Sequence, residues 1–374
     1  MPSNGLSRAA VLPGPGLPPE IRTYAIPEIE PGAALLRTIA SEVCGTDVHL
    51  HHGRLAGVPY PLIPGHVSVG SVEAVGGVIL DVEGLPICVG DVVTFLDVHG
   101  TCGSCWYCLV AKAGTRCPHR RVYGITYGAD DPPGLSGGWS EYIYLRPGTK
   151  IVRLAPGVSP DTWIGGGCGL PTAVHAIELA QIKLGDRVLV QGSGPVGLSC
   201  AALAMLSGAG WVGMIGAPEN RLQAARRMGA DWTIDVTTTT PEERRRAVVD
   251  AAGGRGPDIV IEASGNPKAV LEGCELVRDA GRYIIVGQYT DNGAIELNPH
   301  LHINKKHLEI RGCWGSDFSH VYRAMQMAAR FGNRVLWSSL ISRRYRLDEV
   351  GQALADVEAG RVVKAVVVPH EILP

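Results

Sequence analysis

The sequence predicts an α/β protein built from a barrel-like, strand-and-turn domain and a doubly wound parallel sheet flanked by helices. Three observations lead there. The chain has 374 residues, more than one ordinary core serves, so two domains are expected. Glycine (49) and proline (26) make about 20 % of it, against a usual sum near ~12 %, which calls for many turns and strands. From Thr172 onward, apolar runs of strand length alternate with runs of helix length, the pattern of parallel β–α–β units. Hydrophobic residues are 45 % of the chain, which excludes a disordered or collagen-like protein.

Within residues 1–160, the runs Ala33–Ile39, Val67–Val75, Asp91–Leu96 and Glu141–Leu145 read as strands of an antiparallel barrel, cut by glycine and proline. Thr172–Leu179 then reads as a helix, Arg187–Gln191 as a strand, Pro195–Leu206 as a small-residue helix and Trp211–Ile215 as a strand. Arg221–Met228, Pro241–Ala251 and Lys268–Val277 read as helices, and Thr233–Val236, Asp258–Glu262 and Gly281–Val286 as strands. After about 312 the alternation loosens into helices at His320–Phe331 and Leu347–Glu358 and a strand at Val362–Val368. The expected division is 1–168 with 313–374, a discontinuous domain, and 169–312, the parallel-sheet domain.

Charge narrows the partners. Lys plus Arg is 34 and Asp plus Glu is 36, a net charge of −2, so nothing draws nucleic acid or an anionic membrane by bulk charge. Arg244-Arg245-Arg246 follows Glu242-Glu243 and reads as a solvated helix face. Val188–Pro218 carries no charge, as a membrane span would, but its seven glycines make it strand, turn, helix and strand instead. The first 19 residues lack a basic segment followed by an apolar one, so a cytoplasmic protein is expected.

Val188–Gln191 runs into Gly192-Ser193-Gly194-Pro195-Val196-Gly197, a Gly-x-Gly-x-x-Gly turn opening a helix. Gly192 permits the tight turn, Gly194 lets the backbone approach a pyrophosphate, and Gly197 lets helix and strand pack closely. The helix N-terminus offers free N–H groups to the phosphates. NAD binding calls for a carboxylate at the end of the second strand, where Gly216 stands. With no repelling charge there and Arg221 nearby, the expectation is NAD(P), leaning to NADP.

Four of the ten cysteines, Cys102, Cys105, Cys108 and Cys117, fall within sixteen residues. In a reducing compartment, thiols so spaced fit a closed, tetrahedral, structural zinc site. Cys44, His66 and Cys168 are spread along the chain; two thiolates and one imidazole would leave a fourth zinc position open, as a Lewis acid requires. Spacing alone does not single this set out: Cys44 and Cys168 also read as plain buried cysteines and His66 as a satisfied core histidine.

Taken together, Cys44-Gly45-Thr46-Asp47-x-His49, Pro64-Gly65-His66, the four-cysteine stretch, Gly138-Trp139-Ser140-Glu141-Tyr142, Cys168-x3-Thr172 and the glycine turn resemble the zinc-dependent medium-chain dehydrogenase/reductase family, the alcohol dehydrogenase relatives. The resemblance spans about Leu35 to Pro369. It implies a barrel-like (GroES-like) catalytic domain interrupted by a Rossmann cofactor domain, with the active site in the cleft between them. It implies an enzyme moving hydride between an alcohol, or its aldehyde or ketone, and NAD(P), with two zincs per chain. Cys44, His66 and Cys168 would bind the catalytic zinc. Thr46 would take the substrate proton, His49 would pass it outward, and Asp47 would orient His66. Thr172 and Val196 would flank the nicotinamide, and Lys364 would contact a cofactor phosphate. A homodimer or homotetramer is implied as well.

Two departures stand out. Val67 occupies the place after Gly-His where the family has Glu, which motivates an alternative: a non-catalytic or attenuated dinucleotide-binding protein of the same fold. The interval Cys108–Cys117 is one residue longer than usual. Leu50, Val67, Trp106, Tyr289 and Trp314 are expected to line an apolar pocket for a bulky or cyclic alcohol. The polar stretch Asn298–His307 reads as a connecting loop beside the last strand of the parallel sheet, or as a contact with substrate or a neighbouring subunit.

Overall fold

The computed structural model describes residues 5–370. The chain forms two compact units. The first comprises the residues up to Gly167, Asp317–Gly332 and those from Trp337 on; the second comprises Cys168–Ser316 and Asn333–Leu336.

The first unit opens with an antiparallel hairpin, β1 (Leu6–Val11) and β2 (Glu20–Ala25). β3 (Ala34–Val43) follows, then α1 (Gly45–His51), β4 (Ser68–Val75), β5 (Val92–Phe95) and the short β6 (Val98–His99). Next come α2 (Trp106–Leu109), β7 (Arg121–Val122), β8 (Tyr142–Leu145), β9 (Ile151–Arg153) and α3 (Pro160–Gly166). β3 runs past the expected end at Ile39 to Val43 and so delivers Cys44 to the start of α1. Ala34, Leu36, Val72, Val93, Phe95, Ile143 and Ile151 interdigitate in its core, as inward residues of alternating strands do.

The second unit alternates as the sequence predicts. α4 (Gly169–Ala180) leads into β10 (Arg187–Gln191), α5 (Pro195–Leu206), β11 (Trp211–Gly216), α6 (Glu219–Arg227) and β12 (Trp232–Asp235). α7 (Pro241–Ala251), β13 (Ile259–Glu262), α8 (Pro267–Leu276), β14 (Arg282–Ile285) and β15 (Glu309–Gly312) complete it. The six strands are parallel in the order β12-β11-β10-β13-β14-β15, the Rossmann order, whose reversal beside β10 opens the crevice for a dinucleotide. The uncharged stretch from Val188 is β10, α5 and β11, and α5 is buried along most of its length. Among the described residues, no helix is long and apolar enough to cross a membrane.

Two expectations need correction here. The second unit reaches Ser316 rather than 312, because Cys313 N–H donates to Ile285 O at 2.8 Å, and a ring nitrogen of His175 lies 2.8 Å from Gly315 O. Arg244 is not on a solvated face: it is buried and pairs with Glu272 at 2.7 Å, while Arg245 and Arg246 are exposed beside Glu242. Asn298–His307 contains one turn of π-helix, His300–Asn304, ahead of β15.

The chain then returns to the first unit through α9 (Phe318–Phe331), β16 (Ile341–Tyr345), α10 (Val350–Glu358) and β17 (Lys364–Val367). β17 pairs antiparallel with β3, matching Val366 with Glu42 and Ala365 with Val43. This closes the sheet order β16-β17-β3-β4-β5-β9, with β8 also on β3.

Candidate active site

Cys44 is held at the N-terminus of α1. Its backbone N–H donates to Asp47 Oδ2 at 2.8 Å, and its carbonyl accepts from Asp47 N–H at 3.1 Å, the reciprocal closure that fixes a helix start. Asp47 is fully buried. Burial first, then the charge of Cys44, pushes its carboxyl well above the usual carboxylate range. Thr46 and His49 are both half-buried and, three residues apart, share one face of α1. Burial, then Arg54, lowers the His49 pKa.

His66 is clamped by the Gly138–Tyr142 stretch. Gly138 N–H donates to Gly65 O at 2.8 Å and Trp139 N–H to Pro64 O at 3.0 Å. A Cβ on Gly65 would come within 2.7 Å of Trp139 Cδ1, so glycine lets this loop lie against the indole. Cys168 follows directly on Gly167 and begins α4, where Thr172 Oγ1 donates to its carbonyl at 2.8 Å. Gly169 lets the start of α4 approach α5: a Cβ there would meet Pro195 O at 2.8 Å and Val196 N at 3.0 Å.

One ligand atom each of Cys44, His66 and Cys168 lie within 4.8 Å of one another. Burial alone would lower the His66 pKa, but the Cys44 thiolate beside it prevails and raises it to about 10. Two cysteines and a histidine converging in a buried place are a donor set that a dication fits, since two thiolates would neutralise it and the imidazole would add a third ligand. Asp47 does not orient His66 by a hydrogen bond. Asp47 Oδ2 is engaged by the Cys44 N–H, while Asp47 Oδ1 and His66 Nδ1 are buried without hydrogen-bond partners.

The four-cysteine stretch gathers as its spacing predicts. Cys105 Sγ lies 3.5 Å from Cys108 Sγ and 3.9 Å from Cys117 Sγ, and Cys117 Sγ lies 3.6 Å from Cys102 Sγ. A tetrahedron with Zn–S near 2.3 Å has edges of about 3.8 Å, so the sulfurs fit a zinc ion. Hydrogen bonds from the Ser104 side chain and backbone push Cys102 down to about 5, favouring the thiolate. The longer Cys108–Cys117 interval is taken up by a 3-10 turn at Gly114–Arg116.

In the second unit, Gly192 has φ +106° and its Cβ would overlap Ala263, while a Cβ on Gly197 would overlap Gly192 O. Gly194 faces open space, and α5 begins at Pro195 without a side-chain cap. Its first N–H groups are therefore available to a pyrophosphate. A cavity of about 960 Å³ is lined by Gly192, Gly194, Gly216, Arg221, Asn266 and Lys268, among others. Glu262, which the sequence reading missed, shapes its edge: the buried carboxylate accepts N–H groups of Ser264 at 2.7 Å, Gly265 at 2.8 Å and Gly287 at 3.1 Å. Its only sequence signal is a lone acid at the end of an apolar strand.

Lys364 does not stand ready for a phosphate. It is fully buried in the first unit and ion-paired with the equally buried Glu42. Leu50 is likewise 0 % exposed, a core residue rather than a pocket wall, and Val67 is half-buried. Trp106 is 62 % exposed on α2 of the cysteine lobe. Tyr289 and Trp314 stack with centroids 5.8 Å apart, and Trp314 Nε1 donates to Tyr289 O at 3.2 Å.

Residues 30–156 match the alcohol dehydrogenase GroES-like domain, and residues 195–330 match the zinc-binding dehydrogenase domain. The chain is 34 % identical to 5-exo-hydroxycamphor dehydrogenase of Pseudomonas putida over 93 % of its length and 95 % of that protein's. An alcohol dehydrogenase from Thermotoga maritima superposes with a TM-score of 0.93 at 34 % identity, covering 98 % of this chain and all (100 %) of that one. A zinc-binding dehydrogenase from Sinorhizobium meliloti 1021, bound to NADP, superposes with a TM-score of 0.82 at 27 % identity over 97 % of this chain and 99 % of its own. Together with the geometry, these matches show that the chain belongs to the zinc-dependent medium-chain dehydrogenase/reductase family, as an oxidoreductase of alcohols that uses zinc and a nicotinamide dinucleotide.

Proposed function

We propose that the protein catalyses the reversible, NADP-dependent oxidation of a bulky, apolar secondary alcohol of the cyclic kind, with two zinc ions per chain. The observation that carries this reading is the convergence, among the described residues, of three donors, Cys44, His66 and Cys168. Four protein ligands close a structural site, whereas three leave a position for substrate. When bound, zinc supplies the Lewis acid that lowers the alcohol's pKa, and the nicotinamide supplies the hydride acceptor.

The chain's own residues do the rest. Cys44, His66 and Cys168 hold the metal, and Cys102, Cys105, Cys108 and Cys117 hold the second, structural ion. Thr46 takes the hydroxyl proton. His49, kept neutral near pH 7 by its lowered pKa, accepts that proton and releases it outward. Gly192, Gly194, Pro195, Val196 and Gly197 take the pyrophosphate, with Thr172 and Val196 beside the nicotinamide. Gly216 leaves room for a 2′-phosphate that Arg221 neutralises. The relative active on hydroxycamphor and the apolar Tyr289–Trp314 stack support a cyclic substrate. We extend the proposal to a homodimer or homotetramer, measurable by light scattering, and to a reducing compartment such as the cytoplasm, where the cysteines stay free.

The test is a panel of cyclic and linear alcohols and ketones with NAD and NADP, followed by the absorbance of the reduced nicotinamide. Turnover of cyclic secondary alcohols with NADP, abolished by Cys44→Ser, is expected. Cofactor binding without turnover on any substrate contradicts the proposal and favours a binding protein.

A further inference from the structure

Glu42 lies where the three ligand-bearing segments meet. It stands two residues before Cys44 on β3. Its N–H donates to Val67 O at 3.0 Å, gripping the residue after His66. Its carboxylate reaches Gly167, the residue before Cys168, so closely that a Cβ on Gly167 would overlap both Glu42 Oε2 and Lys364 Nζ. The carboxylate is ion-paired with Lys364, and the two side chains are 1 % and 0 % exposed. Trp139 Nε1, from the stretch that clamps His66, donates to Glu42 O at 3.2 Å.

Every part of this arrangement is fixed from another direction. β17 pairs with β3 at Val366–Glu42 and Ala365–Val43, which brings Lys364 to this end of β3. Gly167 has φ +51° and ψ −145°, a conformation that suits glycine and that presents its backbone to the ion pair. A buried ion pair is costly to form and costlier to break, so it earns its place when it holds chain segments in register. Here those segments carry the three donors.

We propose that Glu42 and Lys364 form a positioning pair that fixes the Gly167–Cys168 turn against the Cys44 and His66 segments, and so sets how tightly the three-donor site holds its metal. The pair touches neither substrate nor cofactor; it acts through the ligands. The inference rests on the reading of Cys44, His66 and Cys168 as metal ligands.

The test uses the zinc-loaded full chain and a coloured chelator that reports zinc release. The charge-free double variant Glu42→Gln/Lys364→Met is expected to release one zinc at least about tenfold faster than wild type, as loss of groups that orient ligands does. The four-cysteine zinc is expected to leave at an unchanged rate. The same variant, with cobalt(II) in the three-donor site, is expected to show shifted thiolate-to-metal absorption bands. Lys364→Arg, which keeps the pair, is expected to retain wild-type release. Should the double variant not fold, Glu42→Asp retracts the carboxylate from Gly167 while keeping its charge, and is expected to speed release of the same zinc. Two zincs in wild type with unchanged release and an unchanged cobalt spectrum in the variants overturn the inference alone. A wild type holding only the four-cysteine zinc overturns the reading of the ligands and the inference with it.

Discussion

Ser193 stands against Gly216 where a side chain at 216 would have to go. A Cβ on Gly216 would lie 2.5 Å from Ser193 Cβ, and Ser193 Oγ is fixed there, accepting the Ala217 N–H at 3.1 Å and donating to Ala217 O at 3.0 Å. The end of β11 is thus closed to an acidic residue by packing as well as by sequence. Gly216→Asp alone is therefore expected to damage cofactor binding rather than convert it to NAD, and to need Ser193→Gly as well. Arg221→Ala is expected to lower kcat/KM with NADP by about 10- to 100-fold more than with NAD, the worth of a charged hydrogen bond. Steady-state kinetics with both cofactors checks each variant.

The sulfurs of the cysteine lobe stand at spacings of 3.5–3.9 Å, and the segment has little apolar core of its own, since Trp106, Leu109 and Val110 are exposed. With the proposed zinc bound there, its order is expected to depend on the metal. Cys105→Ser is expected to lose one zinc, keep the other, and lower Tm by roughly 5 °C or more. Zinc content and thermal melting, measured together, check this.

Arg244 and Glu272 pair at 2.7 Å with side chains 8 % and 14 % exposed, linking α7 to α8 beside the cofactor cavity. Removing one partner leaves the other charge buried. Glu272→Gln is expected to cost about 3–5 kcal/mol of stability, and an apolar replacement of both residues considerably less. Urea unfolding of the single and double variants measures the difference.

These elements show how far the sequence could be read. Alternation of short apolar runs revealed the second unit because its central parallel strands are buried on both faces, as in Val188, Leu189 and Val190 of β10. The hairpin was illegible: β2 is Glu-Ile-Arg-Thr-Tyr-Ala, mostly half-exposed or exposed, and β15 is the edge strand Glu-Ile-Arg-Gly. Tight local spacing marked the four cysteines. The residues misjudged were those whose role depends on distant partners. Lys364 meets Glu42 across 322 positions, and Arg244 meets Glu272 across 28; neither pairing leaves a periodic signal.

His49, His51, His99 and His370 all have pKa values held below 6.5, in each case first by burial. Above 6.5 they are neutral in both folded and unfolded chains, and their contribution to stability is complete. As pH falls through 6.5, the unfolded chain takes up protons that the folded one still refuses, so stability falls. The paired carboxylates Asp258, Asp317 and Asp356, all lowered from 3.8, act in the same direction only at more acidic pH. The zinc-loaded protein is therefore expected to lose Tm steadily from pH 6.5 to 5. A flat profile over that range contradicts the half-buried, neutral histidines.

Diffraction at the zinc absorption edge from crystals of the full chain tests the central claim most directly. The account predicts two anomalous peaks per chain, one ringed by the sulfurs of Cys102, Cys105, Cys108 and Cys117. The other should be bound by Cys44, His66 and Cys168 with a non-protein fourth ligand. A single peak at the cysteine lobe, or a protein side chain filling that fourth position, would contradict it.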